Sequence, residues 1–276
     1  MEKPMTPLIW TCVYGGDDYF NILRISLESL IKYGKYKRSL YIFSDKDQQQ
    51  TLQYVPTELW SWTIVLPFPE KAHISSRYDC ASHLPKDYDV YLYVDTDIVY
   101  DASVWSMLYD IKNSEKLCFT SEKHLYPNLQ AKIGSLRNGS TYNSEWFGLA
   151  IAHQDGSLDD RYLPIINSGV IGSNDLDELV TVCCDIKAKL KYIDPKYLKE
   201  FGDQPVTNYV IIRYGCETNI TRYVHFVNSA PPELHVRNGV GLRGMVHFLW
   251  AGERKFAEMS QYLSLLERLG LEAPGS

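Results

Sequence analysis

Two aspartates separated by one threonine interrupt the stretch VYLYVDTDIVY, residues 90–100. Five apolar or aromatic residues precede them, so Asp95 and Asp97 stand at the mouth of a strand that reads as buried. A carboxylate is costly there unless it has reached water or faces a positive partner. Two carboxylates with open coordination positions suit a hard divalent cation, Mn²⁺ or Mg²⁺, which can bridge protein to phosphate oxygens. In a strand, residues two apart share a face, so the pair converges if the extended geometry persists. If the chain turns at the strand exit, the two reach one ion by different routes. A solvated turn carrying two acids is the plain alternative.

Such a pair needs elements that deliver it. LIWTCVY (8–14) reads as a first strand, and GGDD follows as a turn. YFNILRISLESLIKYG then places apolar residues at 20, 23, 27, 30 and 31, which is helical spacing, with Asp18 as the expected N-cap and Gly34 as the stop. SLYIFSD (39–45) and WTIVLPF (62–68) are further strands, and a short helix over 78–85 precedes the strand that ends at Asp95. This alternation predicts an α/β fold with a mostly parallel sheet flanked by helices. In such open sheets ligands collect at the carboxyl ends of the strands. Residues 120–160 are polar and weakly periodic, and read as loops around an acceptor-side region, with His124, Tyr126, Trp146 and Phe147 as candidate contacts. Beyond it come a strand over 163–174, helices over 176–193 and 203–215, two late strands (RYVHFVN and GMVHFLW) and a closing helix.

Composition bounds the rest. The chain has 276 residues, 45% of them hydrophobic, enough for one domain with a sizeable core. Its formal net charge is −6, which argues against a broad nucleic-acid surface. The 21 tyrosines offer flat faces that suit bases and sugars as well as cores. The six cysteines show no zinc spacing, and most lie in apolar runs, as free thiols of a reducing compartment do. No long apolar N-terminal stretch and no run of about 18 apolar residues occurs, so neither a signal peptide nor a membrane span is expected, and a cytoplasmic location is.

Several stretches carry a resemblance. VYLYVDTDIV resembles the hhhhDxD motif of GT-A fold glycosyltransferases, and of glycosyltransferase family 8 in particular. TCVYGGDDYF, YIFSD, INSGVIGSN, GDQPVTN and VHFLWAGERKF follow in the order of that family's blocks and span residues 11–256. The resemblance implies a single GT-A catalytic domain over 1–276, Rossmann-like, with a nucleotide-sugar half over about 1–110 and an acceptor-side half over about 111–276. It implies transfer of a sugar, with retention, from a nucleoside diphosphate, UDP by analogy, to a hydroxyl of a glycan or other acceptor.

By the same resemblance Asp95, Asp97 and His247 ligate Mn²⁺ or Mg²⁺, and Lys255, three residues after Gly252, binds the diphosphate with Arg254 beside it. Arg77 stands near the diphosphate. Tyr14, Gly15, Asp18, Tyr19, Asp45 and Thr96 belong to the nucleotide site, and Asn167 lines the donor site. Gln204 lies at the reactive face, with Asp203 on sugar hydroxyls. Pro205 stands where that block usually carries an acidic or small residue. Two other chemistries stay open. Asp203 or another acid such as Asp159 could act as the base of an inverting transferase. YLYVDTDIV also fits the motif of haloacid dehalogenase-type phosphohydrolases, where the first aspartate is a nucleophile. A catalytically dead carbohydrate-binding relative is the third alternative.

Overall fold

The protein is described by a computed structural model over residues 4–122, 131–132, 162–163, 165–193, 202–227, 244–249 and 253–270. The expected contacts at His124, Tyr126, Trp146 and Phe147, together with Asp159 and Gly252, lie outside these residues.

The central sheet has six strands: β1 (Pro7–Val13), β2 (Ser39–Ser44), β3 (Thr63–Pro67), β4 (Val90–Val94), β6 (Cys118–Ser121) and β9 (Ile166–Ser173), in the order β3-β2-β1-β4-β9-β6. The first four in that order run parallel, and β9 is antiparallel to both neighbours. Both faces are covered, which is why β1 and β4 read as near-continuous apolar runs. Their side chains alternate between two cores. Ile9, Leu92 and Val94 pack under α1 (Asp17–Lys32) and α4 (Trp105–Lys112). Leu8, Trp10, Tyr91 and Tyr93 pack under α3 (Ser76–Cys80), α5 (Leu176–Leu190) and α6 (Gln204–Tyr214). The mostly parallel sheet flanked by helices is therefore as expected.

A second sheet joins β5 (Ile98–Tyr100), β11 (Met245–Phe248) and β10 (Val224–Val227). Its strand β5 was not separable from β4 in the sequence. The helix α7 (Glu253–Arg268) packs Met259, Tyr262 and Leu266 against this sheet and α1. A short helix α2 (Gln48–Leu52) and the pair β7 (Ala131–Lys132) and β8 (Tyr162–Leu163) complete the description.

Two local expectations are corrected. Asp18 is not the N-cap of α1: the cap is Gly16, without a side-chain hydrogen bond, and Asp18 sits exposed in the first turn. There its charge faces the positive end of the helix dipole. Gly34 closes α1 by its backbone N–H to Ser29 O (3.1 Å), but the left-handed residue is Lys35, at φ 54°. A glycine is still required at 34, because a Cβ would lie 2.5 Å from Leu30 O. Pro205 falls in the first turn of α6, where a missing backbone N–H costs nothing.

Candidate active site

The two aspartates converge because the chain changes sheets between them. The strand β4 stops at Val94, a turn follows, and β5 opens at Ile98 in the second sheet. Asp95 stays tied to the first sheet, its N–H donating to Gly169 O (2.8 Å). Asp97 is tied to the second, its carbonyl accepting from Phe248 N (3.0 Å). The antiparallel register of β11 on β5 sets His247 opposite Ile98. That brings the imidazole beside Asp97, with Nε2 3.1 Å from Oδ1. Asp95, Asp97 and His247 each offer one ligand atom within 4.8 Å of the others. Lys255, in the first turn of α7, reaches across to pair with Asp97 Oδ2.

Behind this trio lies a bulge. Phe119 pairs with Ile171 but Thr120 pairs with Asn167, so Ser168, Gly169 and Val170 have no partner on β6. Most of the polar groups the bulge frees are spent on the site. Ser168 O accepts from Arg77 Nη1 (2.9 Å), and Ser168 Oγ donates to Asp203 (3.1 Å). Gly169 N donates to Asn167 Oδ1 (2.8 Å), and Asn167 Nδ2 donates to Glu122. A Cβ on Gly169 would lie 2.4 Å from His247 Cε1 and 2.8 Å from Asp95 Oδ2, so only glycine lets the two ligands close in.

Arg77 is buried between carboxylates, 3.0 Å from Asp95 and 3.4 Å from Asp203. The hydroxyl of Tyr93, two residues before Asp95 on the same strand face, also donates to Asp95. Burial opposes the charge of Arg77, yet Asp203 and Asp95 outweigh it and strengthen its hold on its proton. Burial pushes the Asp203 carboxyl above its ordinary value against the pull of Arg77. At Asp97 burial also pushes upward, but Lys255 and His247 win and hold the carboxyl below its ordinary value. Burial raises Glu122 too, partly offset by the Asn167 amide.

Asp95 and Asp97 open onto a cavity of about 390 Å³ at the carboxyl ends of β1 and β4, with His247 buried behind them. Of the residues singled out in the sequence, Tyr14, Gly15, Tyr19, Arg77, Asp95, Thr96, Asp97 and Lys255 line it. Asp45 is set back from the wall: it accepts from Gly15 N (2.8 Å) and so holds a residue at φ 98° in the turn after β1. Arg254 points elsewhere, pairing with Glu258 (2.6 Å) one helical turn on. Asn167 is committed at both ends of its amide, as above. Asp203 occupies the cap position of α6 but makes no capping bond; its carboxylate faces Arg77 and Ser168 instead. Beside it, Gln204 Nε2 is buried and the amide faces Glu122, whose carboxyl it helps to hold down against burial.

The sequence reading passed over Tyr93, Ser168, Gly169 and Glu122. Tyr93 had a signal, the two-residue period that puts it on the face of Asp95. So had Glu122, an acid closing the short strand CFTS as Asp95 closes VYLYV. Ser168 and Gly169 had none beyond their block, because the bulge depends on which strand pairs with β9.

The trio fits a hard divalent cation. Two carboxylates and an imidazole form a donor set that suits Mn²⁺ and tolerates Mg²⁺. His247 Nδ1 is buried and has no hydrogen-bond partner among the described residues. Buried polar atoms are rarely left so without a reason.

No family model and no curated protein matches the sequence. Solved structures do match. Galactosyltransferase LgtC, in complex with donor and acceptor sugar analogues, aligns over 97% of this chain and 98% of its own, with TM-score 0.55 and 13% identity. Mouse xyloside xylosyltransferase 1 aligns over 88% and 97%, at TM-score 0.53 and 12% identity. GlyE of Streptococcus pneumoniae aligns over 98% and 65%, at TM-score 0.58 and 11% identity. The fold is that of the GT-A glycosyltransferases. The cavity sits at the carboxyl ends of the parallel strands β1 and β4, where open α/β sheets collect their ligands. Among the described residues, no helix is long and apolar enough to cross a membrane.

Proposed function

We propose that the chain is a metal-dependent glycosyltransferase of the family 8 type. It moves a sugar from a nucleoside diphosphate sugar, UDP by preference, to a hydroxyl of a glycan or other acceptor, with retention. The observation that carries this is the Asp95–Asp97–His247 trio, whose two aspartates line a cavity that also presents Lys255 and three tyrosines, within a GT-A fold.

When bound, the cation supplies charge neutralisation at the diphosphate. The chain's own groups divide the remaining work. Tyr14, braced edge-on by Phe68, and exposed Tyr19 offer ring faces to the base. Lys255 gives its ammonium to the diphosphate as negative charge builds on the leaving group. Gln204, beside Asp203 and facing Glu122, stabilises the oxocarbenium-like sugar. Asp203, held by Arg77 and Ser168, is better placed to orient sugar hydroxyls than to serve as a mobile base, which favours retention over inversion. The phosphohydrolase reading has less support. Asp95 accepts from both Arg77 and Tyr93, which blunts it as a nucleophile.

The test is titration calorimetry of UDP with Mn²⁺. Asp95→Ala and Asp97→Ala should each abolish metal-dependent binding while leaving the circular dichroism spectrum unchanged. Undiminished binding in both variants would overturn the assignment. Release of UDP from a panel of UDP-sugars, with the first product followed by NMR, then identifies the donor and the stereochemistry.

A further inference from the structure

One buried carboxylate has no assigned role in the reaction just described, although it faces both Asn167 and Gln204. Glu122 directly follows β6 and is 3% exposed, with its N–H on Ile165 O (2.9 Å). From its side chain a continuous chain of hydrogen bonds runs to a metal ligand. Asn167 Nδ2 donates to Glu122 Oε1, Gly169 N donates to Asn167 Oδ1, and Asp95 N donates to Gly169 O.

The middle link depends on which way the Asn167 amide faces. With oxygen toward Gly169 it accepts; flipped, it would set two donors against each other. A carboxylate can only accept, so Glu122 compels the amide to present its NH₂ and leaves the oxygen for Gly169. On its β6 side the bulge has no strand partner, and there the Asn167 amide takes the Gly169 N–H. Its setting matters within tenths of an ångström, since the Cα of Gly169 sits where no Cβ fits against His247 and Asp95.

We infer that Glu122 is a positioning residue of the metal site, acting through Asn167 on the Gly169 bulge and so on Asp95, without touching the donor itself. This rests on the metal-dependent reading above. A carboxylate bonded directly to a metal ligand typically carries 10–100-fold in metal affinity, which sets the upper range for Glu122, three hydrogen bonds away.

The experiment measures Mn²⁺-dependent binding of UDP, which has no sugar, by calorimetry and by the EPR spectrum of bound Mn²⁺. Glu122→Ala should weaken binding by about 10–100-fold. Glu122→Gln, which still offers an oxygen but no longer forbids the flip, should fall between it and the wild type. In a double-mutant cycle, Asn167→Ala should add little to Glu122→Ala. Wild-type Mn²⁺–UDP affinity in a folded Glu122→Gln and Glu122→Ala, with only turnover of UDP-sugar reduced, would overturn the inference and make Glu122 a direct sugar contact. Additive losses in the cycle would also overturn it. Asp95→Ala is run alongside. If it too binds normally, the metal reading itself fails; if it alone loses binding, only the role of Glu122 fails.

Discussion

Gly169→Ala is the most incisive perturbation of the site, because one methyl group meets three functional partners. Its Cβ would lie 2.4 Å from His247 Cε1, 2.8 Å from Asp95 Oδ2 and 2.9 Å from Asn167 Oδ1. Ordinary contact begins near 3.4 Å, so the imidazole must retreat by about 1 Å or the bulge must shift. Overpacking of this kind costs roughly 1–3 kcal/mol. If the strain is relieved by moving ligands apart, that cost appears as about 5–150-fold weaker Mn²⁺–UDP binding. Gly172→Ala, on the same strand, is the control. Its Cβ would lie 2.6 Å from Ile111 Cδ1, at the far end of an apolar side chain away from the trio. There the cost should fall on stability, with Tm lowered by about 2–4 °C per kcal/mol, and binding should be spared. Calorimetry and thermal unfolding of both variants give the answer. Wild-type Mn²⁺–UDP affinity in Gly169→Ala would refute the reasoning, as would equal loss of binding in the two variants.

Two further predictions concern Asp97 and its partner. Lys255→Ala should lower affinity for UDP–Mn²⁺ by roughly 10–100-fold, the weight of a charged hydrogen bond, yet raise affinity for Mn²⁺ alone, because the ammonium no longer competes for Asp97 Oδ2. Arg254→Ala should change neither, since Arg254 pairs with Glu258; calorimetry with metal alone and with nucleotide separates the cases. The carboxyl of Asp97 is held below its ordinary value of 3.8 by Lys255 and His247, burial opposing them. Below that value the unfolded chain therefore binds more protons than the native one, and the stabilisation is complete above it and lost as pH falls through the folded value. The stability gap between wild type and Asp97→Asn should thus be widest near neutral pH and narrow below about pH 3.8 in denaturant titrations; a pH-independent gap would contradict it.

Much of this site was written locally. The run VYLYV fills both cores from one strand, so its period and its abrupt end in two acids were legible from Val90 to Asp97. The helices α1, α5 and α7 carry the 3.6-residue spacing of one buried face. What local pattern cannot carry is pairing. His247 meets Asp97 only because β11 takes β5 as its antiparallel partner, across about 150 residues of chain. The bulge at Ser168–Val170 exists only in the register of β9 against β6, and Glu122, Asn167 and Gly169 acquire their shared task from it. That Lys255 rather than Arg254 reaches Asp97 follows from which face of α7 turns inward, fixed by Met259, Tyr262 and Leu266 packing on the second sheet. Side-chain period reports which residues are buried. Strand register, set by contacts between distant segments, decides which of them meet.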